Sequence, residues 1–243
     1  MSYLKFDKML LTNLEKSLDK EMLRTNKAGA YASTTIIDCN TRKYHGLLVV
    51  PVPEIDRDNH VLLSSCDETV IQHGAEFNLG IHKYQGDHYS PRGHKYIREF
   101  HIDSVATTIY RVGGVILQKE RVFVSGENRI LISYTLLEAH SPTTLRLRPF
   151  LAFRNVNELT QENNTINKTY QEVENGISCC LYEPYPHLVM CPQRWQNRTW
   201  KLLRDNSVNA VTRLSNILSV TKVVCNSQKS SRISSSSLCP PLS

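Results

Sequence analysis

The sequence lacks what the common chemistry motifs require. None of its 243 residues form a G-x-G-x-x-G, a phosphate loop ending in Gly-Lys-Ser/Thr, a G-x-S-x-G or an H-E-x-x-H. That removes the standard dinucleotide, nucleoside-triphosphate, α/β-hydrolase and zincin readings. No apolar run reaches the roughly 18 residues needed to span a bilayer, so no membrane partner is expected. Charges interrupt every candidate apolar stretch of the N-terminal MSYLKFDKMLLTNLEKSLDK, which is not a signal peptide and predicts a cytoplasmic chain. The seven cysteines lack metal-type spacing, and Cys179 and Cys180 are adjacent, which suits neither a compact disulfide framework nor a zinc site. Reduced thiols, no metal and no cofactor are the expectation. Acidic residues are nearly missing from 189–243, where Asp205 stands against eight Lys/Arg and eleven residues are Ser. Residues 1–188 carry 21 Lys/Arg against 22 Asp/Glu, so the formal net charge of +6 belongs to the last 55 residues. The first part has no clustered basic face, and no nucleic-acid partner is expected.

What is present is a series of short strands. Residues 7–23 read as an amphipathic helix, with Leu11, Leu14, Leu18 and Met22 at helical spacing and Asp7 as its cap. Strands are expected at 30–37, 44–50, 60–64, 69–73, 106–112, 115–124, 129–137, 144–154, 168–174 and 176–182. Gly113-Gly114 can take the positive φ angles of a two-residue hairpin turn between two of them. Thr144-Leu145-Arg146-Leu147-Arg148 alternates with period two. Strands at close spacing with turn residues between them predict a mainly β fold: a large antiparallel β-sandwich with a short N-terminal helix. From 189 on the composition predicts a poorly ordered, basic, Ser-rich tail, with at most a weak helix over 208–224.

Two polar stretches stand out. Asn40, Thr41, Arg42, Lys43, Tyr44 and His45 lead directly into the apolar Leu47-Leu48-Val49-Val50. They form either a solvated turn with Tyr44 half buried and Arg42 paired to an acid, or a polar lip. Planar Asn and Arg groups hydrogen-bond hydroxyls, and Tyr offers a stacking face. Residues 85–96, QGDHYSPRGHKY, form a second polar and aromatic stretch, read as a loop of the kind that binds ligands. The contact candidates are therefore Asn40, Arg42, Tyr44, His45, His88, Arg92 and His94. His82, His88, His94 and His101 recur every six or seven residues, but no Cys or carboxylate stands at ligand spacing, so they read as ordinary loop histidines. Asp67-Glu68 is a carboxylate pair whose members, adjacent on a strand, point to opposite faces and make a poor acid–base couple.

Five stretches carry a family resemblance: TNKAGAYASTTIIDCNTRKYHGLLV, VLLSSCDETV, FNLGIHKYQGDHYSPRGHKY, TTIYRVGGVILQKE and LRPFLAFRNVNELTQEN. Over about residues 1–188 the chain resembles the N-terminal domain of the bacterial and archaeal type of glycogen debranching enzyme. The resemblance implies a large antiparallel β-sandwich that precedes a catalytic (α/α)6-barrel. It implies amylo-α-1,6-glucosidase activity for the whole enzyme, with the general acid and base in the barrel and no catalytic residue in this chain. The implied partners are that barrel and, weakly, a glycogen-like α-glucan. Residues 189–243 resemble no part of the family and are expected to be an out-of-frame tail. The alternatives are a stand-alone α-glucan-binding module and a non-functional fragment of a frameshifted gene.

Overall fold

The computed structural model describes residues 4–161, 163–174, 176–192, 200–202, 208–214 and 219–226. The chain opens with β1 (Leu4–Asp7), α1 (Lys8–Leu11) and α2 (Leu14–Leu18). Next come β2 (Glu21–Thr25), β3 (Tyr31–Thr35), β4 (Gly46–Pro51), β5 (Asn59–Gln72) and β6 (Ala75–Asn78). A small hairpin of β7 (His82–Tyr84) and β8 (His88–Ser90) leads to a 3-10 turn at Gly93–Tyr96. Then follow β9 (Ile97–Ile102), β10 (Ala106–Val112), β11 (Val115–Phe123), β12 (Arg129–Glu138) and β13 (Thr143–Asn155). β14 (Gln171–Val173), β15 (Gly176–Cys179), β16 (His187–Pro192), β17 (Trp200–Leu202), β18 (Val208–Leu214) and β19 (Ser219–Asn226) complete the order.

The strands form two large antiparallel sheets. Among the described residues one has nine strands in the order β1-β9-β10-β11-β12-β19-β16-β15-β14; the other runs β17-β18-β13-β5-β4-β3-β2, with β6 also on β5. One continuous hydrophobic core draws on both: Tyr110, Leu117, Ile132 and Tyr134 from the first, and Leu48, Leu62, Val70, Leu145 and Leu147 from the second. Burying each such side chain contributes about 1.5–3 kcal/mol. The period-two reading holds along β13, where Leu145 and Leu147 are buried while Arg146 and Arg148 lie on the other face. The hairpin also holds: Val112 faces Val115 across Gly113 and Gly114, at φ 57° and 80°.

Several expectations are corrected. The helix over 7–23 is two short helices and a strand. Asp7 caps α1, accepting from the Leu10 N–H at 3.1 Å. Asn13 then breaks the helix by capping α2 itself, accepting from the Lys16 N–H at 3.0 Å. Met22 is buried, but from β2, where its neighbour Leu23 points outward at 62% exposure. The two strands expected at 60–64 and 69–73 are one 14-residue strand, β5. Its polar centre does not break it, because the polar groups have partners. β4 pairs with β5 up to Leu63 and β6 from Thr69. Between them the Ser64 carbonyl accepts from the Asn40 side chain and the Glu68 carbonyl from the Leu79 N–H, each at 2.8 Å. The helix over 208–224 is replaced by β18 and β19, which suits a stretch rich in β-branched Val and Thr. β18 lies against β13, and β19 lies between β12 and β16. The rest of the expected tail, 193–199, 203–207, 215–218 and 227–243, lies outside the described residues. Among the described residues, no helix is long and apolar enough to cross a membrane.

Candidate functional site

The polar run at 40–45 is a turn whose inward groups are committed to the fold. Thr35 closes the approach: its hydroxyl donates to the Cys39 carbonyl and accepts from the Cys39 N–H, both at 3.0 Å. Asn40 accepts from the Thr34 hydroxyl at 2.8 Å while its amide fills the gap in the β5 ladder. The His45 ring is fully buried, and its Nδ1 accepts from the Thr41 N–H at 3.1 Å. This bond places the ring proton on Nε2, 3.5 Å from Glu21 Oε2, too long for more than a weak contact. Burial is the larger influence on His45 and lowers its pKa against the pull of Glu21, so the ring is neutral at neutral pH. From the sheet, Arg154 donates to the Lys43 carbonyl at 2.6 Å. The Tyr31 hydroxyl donates to the Tyr44 carbonyl at 3.1 Å.

The outward groups have a different setting. The Arg42 Nε donates to Glu21 of β2, and the Arg42 side chain stays 56% exposed. Partial burial works against the Glu21 carboxylate, but Arg42 and His45 outweigh it and hold its pKa below the ordinary range. Tyr44 is 43% exposed, its ring edge-to-face with His45 at 5.2 Å. Tyr44 closes one side of an open groove of about 590 Å³ that Glu21, Leu23, Tyr31 and Ser33 also line. Thus Arg42, Tyr44 and His45 gather around Glu21, whereas Asn40 turns to β5. Sequence reasoning missed Glu21 and Tyr31 as members of this site. Glu21 was hidden inside the expected helix, and nothing local ties Tyr31 to Tyr44.

The second stretch, 85–96, is not one loop but the end of the β7–β8 hairpin and the 3-10 turn. His88 is exposed and packs near Tyr84, ring centroids 6.4 Å apart. Arg92 is exposed. His94 is buried and its pKa is lowered, by burial first and then by Lys95 and Arg92. This contact candidate is a core residue. Its place is fixed by Gly93, whose N–H donates to the Gly80 carbonyl at 3.0 Å. A Cβ on Gly93 would lie 2.1 Å from the Leu79 carbonyl carbon and oxygen, so only glycine fits. Among the described residues no group of three or more His, Cys, Asp or Glu is placed to hold a metal ion.

The carboxylate pair separates as adjacent strand residues must. Asp67 takes the outer face of β5 and holds His82 Nε2 at 2.8 Å. Glu68 points between the sheets, into an ionic cluster that was not foreseen. Lys119 Nζ lies 2.7 Å from Glu68 and 2.9 Å from Asp38, and Arg121 pairs with Asp38. The Tyr134 hydroxyl donates to Glu68, and Arg121 also donates to Thr108 at 3.2 Å. Lys119 and Arg121 are buried because they hold inward positions of β11, in line with Val115 and Leu117. Burial raises the Glu68 pKa, the largest influence on it, whereas the two cations outweigh burial at Asp38 and lower its pKa.

Residues 20–207 match the family model described as "Glycogen debranching enzyme N terminal", so the match runs past 188, where the resemblance was expected to end. No curated protein matches the chain. Among solved structures, "Putative kojibiose phosphorylase from human microbiome" is similar at 12% identity with a TM-score of 0.39. The similarity covers 70% of this chain and 23% of that one, so this chain spans under a quarter of that structure.

Proposed function

The chain belongs to the glycogen debranching enzyme N-terminal family, and from that premise we propose that it is the non-catalytic β-sandwich of a cytoplasmic amylo-α-1,6-glucosidase. Its substrate is the branch point of glycogen or a related α-glucan, in glycogen catabolism. The observation that carries this reading is the family match over residues 20–207. The adjacent carboxylates Asp67 and Glu68 do not form a catalytic pair. Glycoside hydrolysis needs an acid and a base flanking one bond, about 5–9.5 Å apart and open to the sugar. Asp67 and Glu68 face opposite sides of β5, and Glu68 is sealed between Lys119 and Tyr134. The chemistry is assigned to an (α/α)6-barrel partner. Two enzymatic assays test this. The chain alone should release no glucose from phosphorylase-limit dextrin. The full chain, which keeps β18 and β19 in their sheets, grafted onto the barrel of a family enzyme should support release. Glucose from the chain alone, or a soluble chimera without activity, would contradict it.

A further inference from the structure

We propose that the groove beside the free edge of β2 holds a short run of α-linked glucose units. This rests on the functional reading above and adds to it a binding surface on the sandwich itself. Among the described residues β2 is the last strand of its sheet, and no strand pairs with its other edge. Above that edge, Leu23 and Tyr44 are 62% and 43% exposed, and both line the same groove. Large apolar side chains left in water within one concavity mark a contact surface.

The chemistry of the walls selects the ligand. Tyr31 and Tyr44 supply aromatic surface for the apolar C–H faces of sugar rings. The Tyr31 hydroxyl donates to the Tyr44 backbone carbonyl, and the Tyr44 ring packs edge-to-face on His45. Among the lining residues Glu21 offers sugar hydroxyls a carboxylate acceptor and Lys27 an ammonium donor. The charged lining residues are Glu21 and Lys27, one of each sign. A polyanion or an acidic peptide therefore gains little from the walls, while a neutral polyhydroxy chain satisfies both stacking and hydrogen-bonding surfaces. The volume of about 590 Å³ falls within the roughly 300–1,000 Å³ typical of small-ligand clefts. An open groove of this kind binds weakly, at about millimolar Kd, because much of the gain is offset by desolvation and ordering.

The test is an amide NMR titration of the full chain with maltohexaose and, in parallel, with β-linked cellohexaose. Maltohexaose should shift amides of β2, β3 and residues 40–45. Tyr44→Ala and Leu23→Thr, both at exposed positions, should each weaken binding about ten-fold or more while the dispersed spectrum persists. Cellohexaose should shift the same amides far less. If maltohexaose leaves these amides unmoved, or if both variants bind like wild type, the groove is not the glucan surface. The debranching role, tested by the chimera, would still stand. Equal response to both sugars would overturn the α-glucan assignment. A response to a Thr-Val repeat hexapeptide with none to maltohexaose would assign the edge to strand addition instead.

Discussion

The turn at 40–45 and the cluster of Asp38, Glu68, Lys119 and Arg121 are both polar, and they use polarity in opposite ways. The cluster lies between the sheets, with Lys119, Arg121 and Glu68 each no more than 2% exposed. Every one of its charges has a partner. The turn divides its residues: Asn40 and His45 face inward and hold backbone groups, while Arg42 and Tyr44 face water. Buried polarity here fixes geometry, since an unpaired charge between the sheets would be costly. Exposed polarity, here Arg42 paired with Glu21, stays within reach of solvent.

The largest expected effect comes from the cluster. Lys119→Ala leaves Glu68 without its cation and should destabilise the chain by about 3–5 kcal/mol in urea unfolding. The double variant Lys119→Met with Glu68→Leu keeps the Asp38–Arg121 pair and removes the orphaned carboxylate. It should cost less than half as much as the single change. Equal losses would mean that packing, not charge pairing, dominates there.

Next in size is Asn40→Ala. It strips the Ser64 carbonyl of its donor and the Thr34 hydroxyl of its acceptor, and should cost about 1–3 kcal/mol. No change on thermal melting would move Asn40 to the exposed class.

The pH dependence separates the inward histidines from the carboxylates. His45 and His94 have lowered folded-state pKa values. Their contribution is therefore fully present above the unfolded value of about 6.5 and is lost as pH falls through the folded value. Asp38 and Glu21 are also lowered, but from carboxylate values, so they respond only in more acidic solution. Glu68, raised by burial, acts with the opposite sign and loses its contribution as pH rises. Tm should therefore drop between pH 7.5 and 5.5, and His94→Leu should flatten part of that drop. A flat Tm across this window would show that neither ring must be neutral in the fold.

What the sequence revealed follows the range of the interactions. The β10–β11 hairpin was legible because Gly113-Gly114 is a local signal, and β13 because alternation is local. Asp7 was legible as a cap for the same reason. β5 was misread as two strands because Asn40 and Lys119, which satisfy part of its polar centre, lie far away in sequence. Lys119 and Arg121 drew no notice within the strand expected over 115–124, and the register of β11 turns them inward. Asp38 and Glu68 come from other parts of the chain to meet them. At the candidate site, Arg42 and Tyr44 stood out as polar and aromatic residues before a buried strand. Glu21 and Tyr31, which complete the surface, carried no signal of their own. His94 looked like a loop residue because nothing local reports that Gly93 tucks the chain under the Leu79 carbonyl.

The smallest expected effect on stability gives the most direct test of the division between holding and contact. Urea unfolding of the Arg42→Ala/Tyr44→Ala double variant should superimpose on that of the wild type. The Arg42–Glu21 pair is exposed, and the Tyr31 bond goes to the Tyr44 backbone, which the substitution leaves in place. A midpoint lowered as far as that of Lys119→Ala would contradict this, and would make the whole turn part of the scaffold.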